Sequence, residues 1–226
     1  MKKTIDFLAE LRLNNNRPWF EANKSRYKEV QEENLTLATE LIAAIGAFDP
    51  SVRGLTAKDT TYRIYRDVRF SPDKSPYKTH VGVYICPHGK KSGYAGYYFH
   101  IEPKGDGLLG GNFIMSGLYM PDPVVLRSVR DDILDNGEIF VETMKKAKGF
   151  RLGTDNQLKR TPQGYPVGSP YDEYLRLKDI YLEQAISNDF LLQDNLAERV
   201  AKEFKKTYEF CALLNRSVDY ANEEMR

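Results

Sequence analysis

The chain is poor in cysteine and histidine and has almost no charge excess. Among 226 residues there are two Cys, three His and one Trp. Cys86 and Cys211 lie far apart with no CxxC or Cys/His spacing, which excludes a disulfide scaffold and a zinc finger and suits a reducing cytoplasm. His80 and His88 lack HExxH or HxxxH spacing, so no dedicated metal site is expected. A P-loop lysine signature and GxSxG are both missing, and no cofactor is indicated. Lys+Arg of 33 against Asp+Glu of 32 excludes a general polyanion-binding surface, which would carry a strong basic excess. No run approaches the roughly 18 apolar residues of a membrane span. Met1-Lys2-Lys3 opens like a signal peptide, but Asp6 and Glu10 interrupt the apolar stretch that would have to follow. The expectation is a cytoplasmic protein with no membrane partner.

What is present is an ordinary globular composition, 41% hydrophobic and 29% charged, enough to build a core. Residues 4–13 read as a short amphipathic helix on Phe7, Leu8 and Leu11. Asn16 or the residue after it caps a second one, with Pro18 in its first turn where the missing N–H costs nothing. Its apolar stripe (Tyr27, Val30, Ala38, Leu41, Ile45) runs to Gly46, and so long a helix is expected to break near residues 31–34. The segments 61–70, 81–86, 94–102 and 108–114 are rich in aromatic and β-branched residues and separated by turn residues, which reads as consecutive antiparallel strands. Helical patterns return at 124–134, 138–148, 171–182 and 194–221. The sequence therefore predicts one α+β domain over residues 1–226. A mostly antiparallel sheet at about residues 61–114 would be covered by N- and C-terminal helices.

The densest chemistry lies in residues 62–79. Arg63, Arg66, Arg69, Lys74 and Lys78 against Asp67 and Asp73 give +5 − 2 = +3, in a chain whose total is +1. With period two, Arg63, Tyr65, Asp67 and Arg69 share one strand face, while Tyr62, Ile64, Arg66, Val68 and Phe70 share the other. Two readings stand side by side. One is a salt-bridge lattice that fixes helix to sheet, since ion-pair networks resemble sites. The other is a cleft for a small anionic ligand in an enzyme or binding protein, where guanidinium forks match phosphate or carboxylate. That cleft would be lined by Arg63, Arg66, Asp67, Arg69, Lys74, Tyr77 and Lys78, with Tyr98 and His100 from an adjacent strand. A nucleic-acid module would use the same cations with Tyr65, Tyr77 or Tyr98 stacking on bases, but the neutral total charge disfavours it. A protein-interaction domain would need the basic strand only as scaffold. His100 shares a face with Tyr98 and Glu102, as either a general acid/base or a hydrogen-bonded structural residue. Gly105-Asp106-Gly107-Leu108-Leu109-Gly110 matches GxGxxG by letter. It is rejected as a dinucleotide fingerprint because a strand pattern, not a helix, follows.

Four groups of residues carry a family resemblance. They are Asn15-x-x-x-Trp19-Phe20, Arg63-x-x-Arg66-Asp67-x-Arg69-Phe70-x-x-Asp73-Lys74-Ser75-Pro76-Tyr77-Lys78, Gly96-Tyr97-Tyr98-x-His100-Ile101, and Leu158-Lys159-Arg160-x-Pro162-x-Gly164-Tyr165. With these the chain resembles, over nearly its whole length, the bacterial and fungal family termed domain of unknown function 2461. The resemblance implies a cytoplasmic housekeeping-type protein and brings no activity, substrate or catalytic residue with it.

Overall fold

The computed structural model describes residues 1–103 and 110–225. Apolar side chains three and four apart bury one face of α1 (Lys2–Leu13) through Phe7, Leu8 and Leu11. Asn16 caps α2 (Arg17–Ala22), its side chain accepting from the Trp19 amide, with Pro18 in the first turn. The break before α3 (Lys24–Gly46) falls at Asn23 rather than at 31–34. Asn23 spends its side-chain amide on the Trp19 carbonyl, 2.9 Å away, and so ends the turn early. Two short turns follow, a 3-10 turn at Pro50–Val52 and α4 (Ala57–Thr60), the latter held by a Thr56–Asp59 capping box.

Strands β1 (Val81–Ile85), β2 (Gly96–Ile101) and β3 (Phe113–Leu118) form the expected meander. After α5 (Pro123–Lys146), bent at Asn136, come β4 (Arg151–Leu152), α6 (Asp172–Leu175) and β5 (Ile180–Ala185). The chain ends in α7 (Asn188–Leu191), α8 (Leu196–Lys205) and α9 (Tyr208–Glu224). The sheet order is β1-β2-β3-β5-β4, every neighbouring pair antiparallel. The fold is α+β, as the order of periodicities implied.

Four expectations need correction. Residues 61–70 form no ladder strand; only the bridges Thr61↔Val83 and Tyr65↔Tyr77 remain. The segment doubles back on itself instead, with Arg66 N–H donating to the Pro76 carbonyl and Lys78 N–H to that of Ile64. The predicted helix at 171–182 is a helical turn followed by β5. Ile180 and Leu182 alternate at the strand period, and pairing with β3 places them in β5. The single helix at 194–221 is two, because the buried Thr207 hydroxyl lies 2.8 Å from the Phe204 carbonyl and 2.7 Å from Ser116 Oγ, ending α8 against the sheet. The strand expected at 108–114 is described only from Gly110 and begins at Phe113, while most of the GxGxxG match lies outside the described residues.

Register assigns the two sheet faces. Val83, Phe99 and Ile114 form one cross-strand row, and Ile85, Tyr97, Ser116 and Leu182 the next. These rows meet the helices in two adjoining apolar clusters, one with α1–α3 and α8, the other with α5 and α9. The opposite face presents Gly82, Tyr84, Tyr98, His100, Phe113, Met115, Tyr181 and Glu183. It becomes the floor of a cavity walled in part by α3.

Candidate functional site

That cavity has a volume of about 820 Å³, within the roughly 300–1,000 Å³ of small-molecule sites. Tyr84, Tyr98, Phe113, Met115 and Tyr181 pave the floor. One wall is the 61–64 segment. Another is the flank of α3 at Tyr27, Gln31 and Asn34. The charges are sorted along the sheet. Arg63, Lys78 and Lys90 gather beyond the β1 edge, while Asp155 and the Arg151–Glu183 ion pair (2.6 Å) lie at the β4/β5 side. With strands about 4.8 Å apart, the three steps from β1 to β5 separate the two groups by roughly 14 Å.

Of the residues expected to share a cleft, Arg63, Lys78 and Tyr98 line this cavity. Arg66, Asp67, Arg69 and Lys74 do not, so the convergence of five cations is not formed. Arg66 pairs with Asp73 and donates to the Ser75 carbonyl at 3.1 Å. Arg69 pairs with Asp67 at 2.7 Å. Lys74 donates to the Val68 carbonyl at 3.0 Å. The physical reason is local. Once residues 66–76 fold back as a loop, their own carboxylates and carbonyls are nearer than any cavity, and the ion pairs stay within the loop instead of fixing helix to sheet. Ser75 and then Arg66 hold the Asp73 carboxyl down at about 2. Tyr77 is a core anchor: it is buried, stacked on Phe20 at 3.9 Å between ring centres, and both of its backbone polar groups are taken by the Asn15 side chain. Lys90, which sequence reasoning missed, joins Lys78 within 6 Å of the centre of the Tyr62 ring, at 5.8 and 5.4 Å.

Burial sets the protonation states. It lowers Lys78 from its ordinary value, and the neighbouring Arg63 lowers it further. It raises Tyr62 and Tyr181 to about 12 and raises Tyr98 as well. The cavity phenols are therefore neutral hydrogen-bond donors at physiological pH. His80 is pushed down to about 4, by burial first and by His100 second, against the opposing pull of Glu102.

His100 lies beneath the cavity and is fully buried, as is Glu102. Its Nδ1 meets the Tyr98 hydroxyl at 2.9 Å, its ring stacks on Phe113 at 4.4 Å, and His80 stands 4.7 Å away, centre to centre. The sequence kept His80 apart from this group because the link is cross-strand. Register places Val81 opposite Ile101 and Gly82 opposite His100, so residue 80 falls opposite residue 102.

A family model described as "Conserved hypothetical protein (DUF2461)" matches residues 3–212. The chain belongs to this family. No curated protein and no solved structure matches it. Two of its motifs act as one unit, since Asn15 and Phe20 grip Tyr77. The third divides by period two, Tyr97 bonding Asp49 at 2.9 Å on the helix-covered face while Tyr98 and His100 face the cavity side. In the fourth, the Tyr165 hydroxyl ties its loop to Asp131 of α5 at 2.7 Å.

Proposed function

We propose that the cavity binds a small ligand carrying a phosphate or carboxylate, with its anionic end at Lys78, Arg63 and Lys90 and its body over the tyrosine floor. The observation that carries this is Lys78. It is half-buried beside Arg63, and among the described residues neither makes an ion pair with a carboxylate. Lys78 loses hydration by burial and is repelled by the neighbouring, exposed Arg63, and an anion between them relieves that strain. The fold keeps this arrangement at the edge of a large concave site, while Arg66 and Arg69 nearby are each given a carboxylate. The neutral Tyr181 phenol supplies a donor on the floor, and Phe113 and Met115 supply apolar contact. The charge sorting favours a small molecule over a polynucleotide, whose phosphates would need a continuous basic track.

Thermal shift with inorganic phosphate, pyrophosphate, nucleoside monophosphates and short oligonucleotides tests it, because a ligand that binds only the folded state raises Tm by mass action. A small anion is expected to raise Tm, and Lys78→Met to weaken its binding about 10- to 150-fold, the equivalent of one charge-assisted hydrogen bond of about 1.5–3 kcal/mol. Binding should weaken with salt and survive Arg69→Ala. Binding that Lys78→Met leaves intact, or that Arg69→Ala abolishes, would refute the assignment.

A further inference from the structure

We propose that His80, His100 and Glu102 form a binding site for one divalent first-row transition-metal ion at the floor of the cavity. One nitrogen of each imidazole and one carboxylate oxygen lie within 4.8 Å of one another. The decisive detail is the spacing inside the trio. His100 Nε2 is buried, makes no hydrogen bond among the described residues, and stands 3.6 Å from Glu102 Oε2. That is too long for a hydrogen bond. Two ligands bound at about 2.1 Å to a tetrahedral centre stand about 3.4 Å apart, so the separation fits a shared metal.

The fold supplies the rest of the arrangement. His100 Nδ1 is engaged by Tyr98 at 2.9 Å, and an outer partner of this kind orients the ring and leaves Nε2 as the ligand atom. Thr79 Oγ1 donates to Glu102 Oε1 at 3.4 Å, and the Glu102 backbone amide donates to Asn112 Oδ1 at 3.0 Å. Oε2 is the Glu102 oxygen on the His100 side. His80 is the only one of the three that lines the cavity. Two imidazoles and one carboxylate are the donor set of three-ligand zinc sites and of non-haem Fe(II) sites, both of which keep coordination positions open to a substrate or water. Here those positions would open into the cavity. The proposal stands apart from anion binding at Lys78, since neither Lys78 nor Arg63 is a ligand.

The experiment uses untagged full-length protein stripped with chelator and titrated with Zn²⁺ and Co²⁺ by calorimetry. Metal content of protein purified without chelator separates zinc from iron. The chain has only three histidines, so long-range ¹H–¹⁵N spectra report each ring. One equivalent of Zn²⁺ should shift His80 and His100 and leave His88 unmoved. His80→Gln and Glu102→Gln should each lower affinity at least 100-fold, and Tyr98→Phe, which removes only the outer partner, about 10- to 100-fold. Glu102 is buried and its variant could fail to fold, whereas His80→Gln changes a partly exposed position and the wild-type spectra need no variant. Absence of stoichiometric uptake overturns the site, as do a Zn²⁺ response confined to His88 and an affinity unchanged in His80→Gln. Protonation of both His100 nitrogens in metal-free protein at pH 7 would also overturn it, in favour of an ion pair with Glu102.

Discussion

A single methyl group on the cavity floor tests how tightly the Tyr98–His100 pair is held. Tyr98 leans across Gly82, and a Cβ built there would stand 2.5 Å from the Tyr98 hydroxyl oxygen, 2.7 Å from Cε2 and 2.9 Å from Cζ. Carbon contacts relax to about 3.5–4.0 Å, so in Gly82→Ala the ring must swing by about 1 Å. The bond to His100 Nδ1, now 2.9 Å, then stretches past the hydrogen-bonding range. Losing it costs about 1 kcal/mol, and leaving the fully buried His100 of metal-free protein without a partner adds about 1–3 kcal/mol. Against this, alanine in a strand offsets about 0.5–1 kcal/mol of backbone entropy. The expected net loss is about 1–3 kcal/mol, a Tm drop of roughly 3–10 °C for a chain of this size. Urea denaturation of wild type, Gly82→Ala, Tyr98→Ala and the double variant closes the cycle. Without the Tyr98 ring the methyl has nothing to strike and should be neutral or slightly stabilising. If Gly82→Ala costs the same in both backgrounds, within about 0.5 kcal/mol, the clash is not the cause and the reasoning fails.

Tyr97→Phe removes the buried donor to Asp49 and should cost about 1.5–3 kcal/mol by urea denaturation; a loss below about 0.5 kcal/mol would mean that Asp49 does not depend on it. Burial holds the Cys86 thiol at about 11 against an ordinary 9.0, so the unfolded chain gives up this proton first. Its contribution is whole below pH 9 and falls by roughly 2–3 kcal/mol as pH rises to 11, at about 1.4 kcal/mol per unit. Cys86→Ala should flatten that fall in denaturation curves at pH 8 and 11, and identical falls would contradict it. Arg66→Ala should release the 67–75 loop to protease at once, since Arg66 ties both Asp73 and the Ser75 carbonyl. Arg69→Ala, an exposed pair, should leave cleavage and Tm within error, and equal cleavage in both variants would show that Arg66 is not the tie.

Local signals in the sequence determined much of this protein. The helices at either end, the cap at Asn16, the break in α5 and the antiparallel meander follow from side-chain period and turn chemistry, which act over a few residues. The run at 62–79 was also legible as unusual in charge. Tertiary structure alone decided how that charge was used. Arg66 and Arg69 met carboxylates of their own loop, while Arg63 and Lys78 were left facing a cavity with Lys90, a partner some dozen residues onward that no period connects. The same holds for β5, where only pairing with β3 fixed the alternation of Ile180 and Leu182 as a strand. It holds again for His80 and Glu102, more than twenty residues apart in sequence. They become neighbours only through the β1–β2 register, because strand pairing brings together side chains that sequence spacing does not relate.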